Sequence, residues 1–286
     1  VNVALAIARK ALVGRLPFAG ALRRAKRRRF GYRPDPSNLS STLENYGRIH
    51  AAAQAHGRPV AGARVLEIGT GWFPMLPILM CADGAAEVRM TDLNPHMDER
   101  TFDTALRYVQ ERFPERQRLQ AVRHMADLPL HYSAPFAPSM LADGAVDLVV
   151  SRTVLEHIEP APLQALMAAL RPKLARGGLM VHLVDHSDHL EHLDLTNRTS
   201  PLNFLQWSPA LHRAVNGLTR DGENRLRHHQ YPPLFEAAGY EVLAAEGEVH
   251  PRALQSLAGL RLAPPFDTMT REQLAVLVSL YVLRPR

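Results

Sequence analysis

Three groups of residues in this 286-residue chain have types and spacings that could do chemistry. The densest is Asp185-His186-Ser187-Asp188-His189-Leu190-Glu191-His192-Leu193-Asp194. His186, His189 and His192 recur at every third residue, and Asp185 and Asp188 could orient them. Imidazole titrates near neutral pH, so these side chains suit a general base. The same residues also suit a hydrogen-bonded structural segment or a divalent metal site. The metal is the less favoured reading, because tight ligand spacing is absent. His157 is a separate candidate base. The second group is Val65-Leu66-Glu67-Ile68-Gly69-Thr70-Gly71-Trp72. A short apolar run, an acid and a glycine-flanked turn describe a buried strand feeding a loop whose backbone can approach a ligand. Asp92 ends the next apolar run, where a carboxylate suits the two hydroxyls of a ribose. The third group is Glu223-Asn224-Arg225-Leu226-Arg227-His228-His229. Arg225 and Arg227 suit an acidic acceptor, or equally anchor their own segment to the body.

Elements must hold these groups in place. Apolar runs predict strands over 63–68, 86–91, 129–134, 145–151 and 178–184, and later over 240–245 and 274–283. Helices are expected over 39–56, 74–83, 97–112, 160–174 and 231–239. On the first of these, Leu43, Tyr46, Ile49 and Ala53 share one face. Alternating strands and helices of this length imply an α/β protein with a mostly parallel sheet and helices on both faces. Ligands of such sheets bind at the carboxyl ends of the strands, where the histidine-rich segment begins. Residues 185–230 are polar, with one apolar island at Phe204-Leu205-Gln206-Trp207, and are too long for a simple connection. They are expected to build an acceptor pocket.

Four segments in this order resemble the class I S-adenosylmethionine-dependent methyltransferases. Glu67-x-Gly69-x-Gly71 is similar to the family's first motif, and Asp92 to its ribose acid. Val146 to Ile158 (VDLVVSRTVLEHI) is similar to its fourth motif. Leu170 to Val181 (LRPKLARGGLMV) is similar to the helix, turn and strand that follow. The resemblance covers roughly residues 60–185. It implies a Rossmann-like seven-stranded sheet with an antiparallel last strand. It also implies that Glu67, Gly69, Thr70, Gly71 and Trp72 hold the methionine part of the cofactor. Asp92 would hold the ribose and Leu93 would flank the adenine, with Ser151 and Arg152 completing the cofactor side. Two departures stand out. Trp72-Phe73-Pro74 replaces a common third glycine. Ser133-Ala134-Pro135-Phe136 lacks the usual acid before the adenine, so backbone contacts near Pro135 and Phe136 are expected instead.

Bulk properties narrow the partners. Residues 1–33 hold ten Lys or Arg and no acid; the chain's other 24 basic residues face 28 acidic ones. The basic character is therefore an N-terminal arm, which argues against a domain-wide nucleic-acid surface. The arm suits an anionic membrane surface or an acidic substrate. One cysteine, Cys81, suggests a reducing, cytoplasmic setting. The expected organisation is the arm, 1–33, and a methyltransferase domain, 34–286, carrying the insertion 185–230.

Short pieces after Asp185 ("DHSDHLEHLD", "NFLQWS", "ENRLR") are similar to bacterial methyltransferases of surface-polysaccharide and glycan assembly. That resemblance implies O-methylation of a sugar hydroxyl, with Asp188, Arg225 and Arg227 on the acceptor. The alternatives are a natural-product O- or N-methyltransferase and a cofactor-binding protein without catalysis. Base methylation in nucleic acid is disfavoured, since Ser151-Arg152-Thr153 stands where an Asp/Asn-Pro-Pro-aromatic signature belongs.

Overall fold

Alternation of apolar and mixed segments becomes alternation of strand and helix in the computed structural model, which describes residues 36–191, 199–219 and 222–286. The basic arm and His192 lie outside the described residues. Helix α1 (Pro36–Ala55) leads to β1 (Arg64–Ile68), α2 (Met75–Ala82), β2 (Glu87–Thr91), α3 (Glu99–Arg112) and β3 (Leu130–Ser133). Then come β4 (Val146–Arg152), α4 (Pro160–Leu170), β5 (Leu174–Asp185), α5 (Pro209–Thr219), α6 (Tyr231–Ala237) and β6 (Tyr240–Val249). Two short helices, α7 (Pro251–Ser256) and α8 (Arg271–Ala275), precede β7 (Val276–Pro285). The sheet runs β3-β2-β1-β4-β5-β7-β6. β7 is antiparallel to both neighbours, and the pairs from β3 across to β5 are parallel.

Parallel strands covered on both faces read as near-continuous apolar runs, with alternate residues feeding opposite layers. Leu179, Val181 and Leu183 of β5 enter one core with α1, α2 and α3. Met180 and Val184 enter the other with α4 and α6. Helix α2 is buried nearly all round, and its Pro77 sits in the first turn, where no backbone donor is lost. Helix α3 starts on Asp98, whose carboxylate accepts from the Thr101 amide at 3.0 Å.

Three features differ from expectation. Gly177-Gly178 does not separate helix from strand. Leu174 already pairs with Val146 and Leu179 with Leu148, so the residues between loop out within β5. Leu274 and Ala275 close α8 rather than opening the last strand. The connection between β6 and β7, for which no element was expected, carries helices. It packs on the insertion through a third apolar cluster, in which Leu202, Phe204 and Leu205 meet Leu257, Phe266 and Leu274. The apolar island therefore belongs to this small core. No helix among the described residues is long and apolar enough to cross a membrane.

Arg227 fastens these added segments to the sheet. It is fully buried, and its guanidinium donates to the carbonyls of His186 at 2.7 Å, Leu274 at 2.9 Å and Val276 at 2.8 Å. Burial draws its pKa down to about 10. This corrects the expectation that Arg227 meets an acceptor, because every nitrogen is inside the protein. Arg227→Ala leaves three buried carbonyls without a donor and is expected to cost about 3 to 5 kcal/mol of unfolding free energy. Arg227→Lys should recover only part, since an ammonium cannot present the same fork. Urea denaturation of the three proteins checks both.

Candidate active site

The carboxyl ends of β1, β2, β4 and β5 gather at one edge of the sheet. β1 ends in Glu67 and Ile68, and the chain turns through Gly69 at φ 73° and Gly71 at φ 71°. The amides of Gly69 and Thr70 donate to the Thr91 carbonyl at 2.8 and 3.1 Å. The Thr70 hydroxyl donates to Glu67 at 2.5 Å. The two glycines serve different ends. A Cβ on Gly69 would lie 2.5 Å from Val154 Cγ2, whereas one on Gly71 would enter open space. Gly69 lets two loops meet, and Gly71 keeps a backbone face clear.

The amide of Gly71 donates to both oxygens of Asp92, at 3.2 and 3.1 Å, and the Tyr132 hydroxyl donates to Asp92 at 3.0 Å. Burial raises the Asp92 carboxyl to about 6, against the pull of those two donors. Burial likewise raises Glu67 to about 7; Thr70 and Arg152 oppose it, and the charge of Asp92 adds to it. Leu93, next in the chain, is 79% exposed. The Phe136 amide donates to the Asp92 carbonyl at 3.0 Å, which sets the Pro135–Phe136 turn beside the acid. Trp72 lies against His96, ring centroids 4.5 Å apart. Ser151 requires a correction as a cofactor residue. It is fully buried and its hydroxyl is bonded to His182 Nδ1 at 2.8 Å, inside the sheet.

Beyond the cradle the chain passes through Thr153 at φ 52°, a left-handed conformation for a β-branched residue. It then makes a short turn, Leu155–His157. Glu156 is buried there and His157 is exposed. Asn224 clamps the turn: its side chain donates to the carbonyls of Leu155 at 2.9 Å and Ile158 at 2.8 Å, and its amide donates to Glu156 O at 2.6 Å. His189 comes in from the end of β5, its ring 4.9 Å from that of His157. His189 Nδ1 pairs with Glu223 at 2.9 Å, and Nε2 faces Asp185 at 3.8 Å. Burial lowers the His189 pKa, but Glu223 and Asp185 outweigh it and hold the group at about 9. Burial, helped by Asp185, lifts Glu156 to about 8.

The histidines three apart therefore part company. His186 Nε2 is bonded to the Ser279 hydroxyl at 2.7 Å and Nδ1 to the Leu226 carbonyl at 3.0 Å, and the residue is 3% exposed. This corrects the expectation that His186 is a base: neither nitrogen can reach an acceptor. Asp188 is corrected for the same reason. It is 1% exposed and caps its own turn by accepting from the Leu190 amide at 2.9 Å. Arg225 Nη1 donates to the carbonyls of Phe204 and Trp207, and the guanidinium lies over Phe266. Arg225 also lines an open cavity of about 310 Å³ with His212, Arg213 and Gln230. Sequence reasoning missed Tyr132 and the pairing role of Glu223. The alternation of β3 carries a signal for Tyr132; none exists for Glu223, which meets His189 from 34 residues away.

Bound S-adenosylmethionine or S-adenosylhomocysteine fits these groups: a near-buried carboxylate for a diol, a bare glycine face, a second acid and an exposed leucine. Asp92→Ala is expected to weaken S-adenosylhomocysteine binding about tenfold or more by loss of charge-assisted hydrogen bonds. The affinity of the unaltered protein should fall as pH drops from about 8 to about 5. Asp92 and Glu67 carry raised pKa values and lose their charge on that path, so the acceptor form is present only at the upper end. Isothermal calorimetry across pH measures both.

A family model described as "Methyltransferase domain" matches residues 24–245. No curated protein matches the sequence. Among solved structures, similarity extends to a protein from Galdieria sulphuraria described as a sarcosine dimethylglycine methyltransferase. It has 11% identity and a TM-score of 0.50, over 86% of this chain and 87% of that one. An S-adenosylmethionine-dependent methyltransferase from Mesorhizobium loti gives 16% identity and a TM-score of 0.48, over 82% and 96% of the two chains. Magnesium protoporphyrin IX methyltransferase from Synechocystis, with bound S-adenosylhomocysteine, gives 14% and 0.49, over 93% and 95%. The family match takes in all five parallel strands and the loops that form the cradle, and the chain belongs to the methyltransferase-domain family as an S-adenosylmethionine-dependent enzyme.

Proposed function

We propose that the enzyme transfers the methyl group to an oxygen, on a hydroxyl of a saccharide. The observation that carries this reading is the carboxylate and imidazole cluster of Glu156, His157, Asp185, His189 and Glu223 directly beyond the cradle. Val154 touches the position of Gly69, and Glu156 and His157 follow it by two and three residues. An amine acceptor brings its own lone pair once neutral. A hydroxyl is a poor nucleophile until its proton has somewhere to go, and acid–base groups placed beside it meet that need. Polar groups beside the cradle also suit a polyol better than a flat aromatic ring.

The cofactor supplies an electrophilic methyl on a sulfonium, so the protein's task is to hold two reactants in line and to receive a proton. Asp92 and the Gly71 backbone would hold the ribose end. Glu67 and Thr70 would face the methionine end. His157, exposed at the rim, receives the hydroxyl proton, and His189, fixed by Glu223, positions its ring. The described parts of the insertion, pinned by Arg227, would wall the acceptor side, with Arg225 on an outer cavity.

Incubation with methyl-labelled cofactor and a panel of saccharides, phenols and amines, with product mass and alkali stability recorded, tests the reading. A methyl ether on a sugar is the expected product; label on nitrogen, or on none of the panel, would discard it. His157→Ala should lower kcat by about a hundredfold, the ordinary size of a general-base contribution, with S-adenosylhomocysteine affinity unchanged.

A further inference from the structure

We propose that Glu156, His157 and His189 form a binding site for a divalent transition-metal cation of the zinc type. One donor atom from each side chain lies within 4.8 Å of the others. The independent observation is Glu156 itself. It is 3% exposed, and both of its carboxylate oxygens are buried without a hydrogen-bond partner. Buried acceptors in folded proteins are almost always satisfied, so a carboxylate with no more than the backbone amides of Glu156 and Asp185 near it, set beside two imidazoles, has the form of a ligand.

The surroundings agree. Two imidazoles and one carboxylate are a donor set that zinc-type ions favour over magnesium or calcium. His189 is already oriented by Glu223 through Nδ1, at 2.9 Å, the kind of carboxylate support that ligating histidines usually have. Asp185 and Glu223 add negative charge around the cluster. Asn224 holds the Leu155–His157 turn by three hydrogen bonds, so the two donors there are in place beforehand. Exposed His157 gives an entry path. Three protein donors leave positions open, where water or an acceptor oxygen can complete the shell. These ligands come from the ends of two strands, β4 and β5, and so differ from a metal site within residues 185–194.

This inference goes beyond the proposed acceptor and does not depend on its identity, but it shares His157 with that reading: with a cation bound the imidazole lone pair is engaged, and the proton-accepting role given to His157 above applies to the cation-free protein. Full-length protein stripped with chelator is titrated with Zn²⁺ by calorimetry, and with Co²⁺ for its visible absorption. One saturable equivalent is expected, weakened about tenfold or more in Glu156→Gln and in His157→Ala. The second variant changes an exposed side chain and keeps the test open if the first does not fold. Absence of saturable binding, or unaltered Zn²⁺ affinity in both variants, overturns the proposal. A parallel S-adenosylhomocysteine titration separates the two readings: its heat persists if only the metal site is wrong and vanishes if the cofactor cradle is wrong.

Discussion

Both halves of the active site depend on one close approach. Val154 packs where the Cβ of residue 69 would be, so the loop after β1 and the turn after β4 can share an edge only if residue 69 has no side chain. The positive φ of Gly69 bends the first loop toward β2, where the Thr91 carbonyl takes two of its amides. The positive φ of Thr153 bends the second loop so that Glu156 and His157 follow at once. Cofactor loop and acceptor turn are thereby set against each other by backbone geometry, with the strained threonine held by a sheet bond from its amide to Leu183.

The geometry of the candidate cofactor half is legible in the sequence because its residues are local. Glu67, Gly69 and Gly71 lie within five residues, and Asp92 lies one crossover away, so strand pattern and loop composition suffice. The acceptor half is built from distant pairs. His189 meets Glu223, and Arg227 reaches carbonyls 47 and 49 residues further on. Composition marks such segments as polar but does not say which polar groups face each other. The fate of His186 was nevertheless readable. It continues the alternation of β5, on the face of His182 and Val184, and its amide extends the ladder to the Leu277 carbonyl. Even spacing along the chain suggested three equivalent histidines, whereas strand parity separates His186 from His189.

Burial of charge follows a consistent rule here. Arg227 is surrounded by carbonyl oxygens, His189 by carboxylates and Asp92 by an amide and a phenol. Each pays for desolvation with geometry that fixes a segment relative to the sheet. Arg227 leaves only its Nε without a partner, whereas Glu156 has no hydrogen-bond partner at either carboxylate oxygen, and it stands beside the cradle.

The small third core has a bearing on how such an enzyme diversifies. The segments after β5 and after β6 bury Phe204, Leu257 and Phe266 against one another, apart from the two large layers under the sheet. Side chains on their outer surfaces can therefore be exchanged while the nucleoside cradle and its supporting strands stay untouched. A lineage carrying this architecture can vary the outer surface of this annex, provided its anchorage through Arg227 is kept, at little risk to the strands under the cradle.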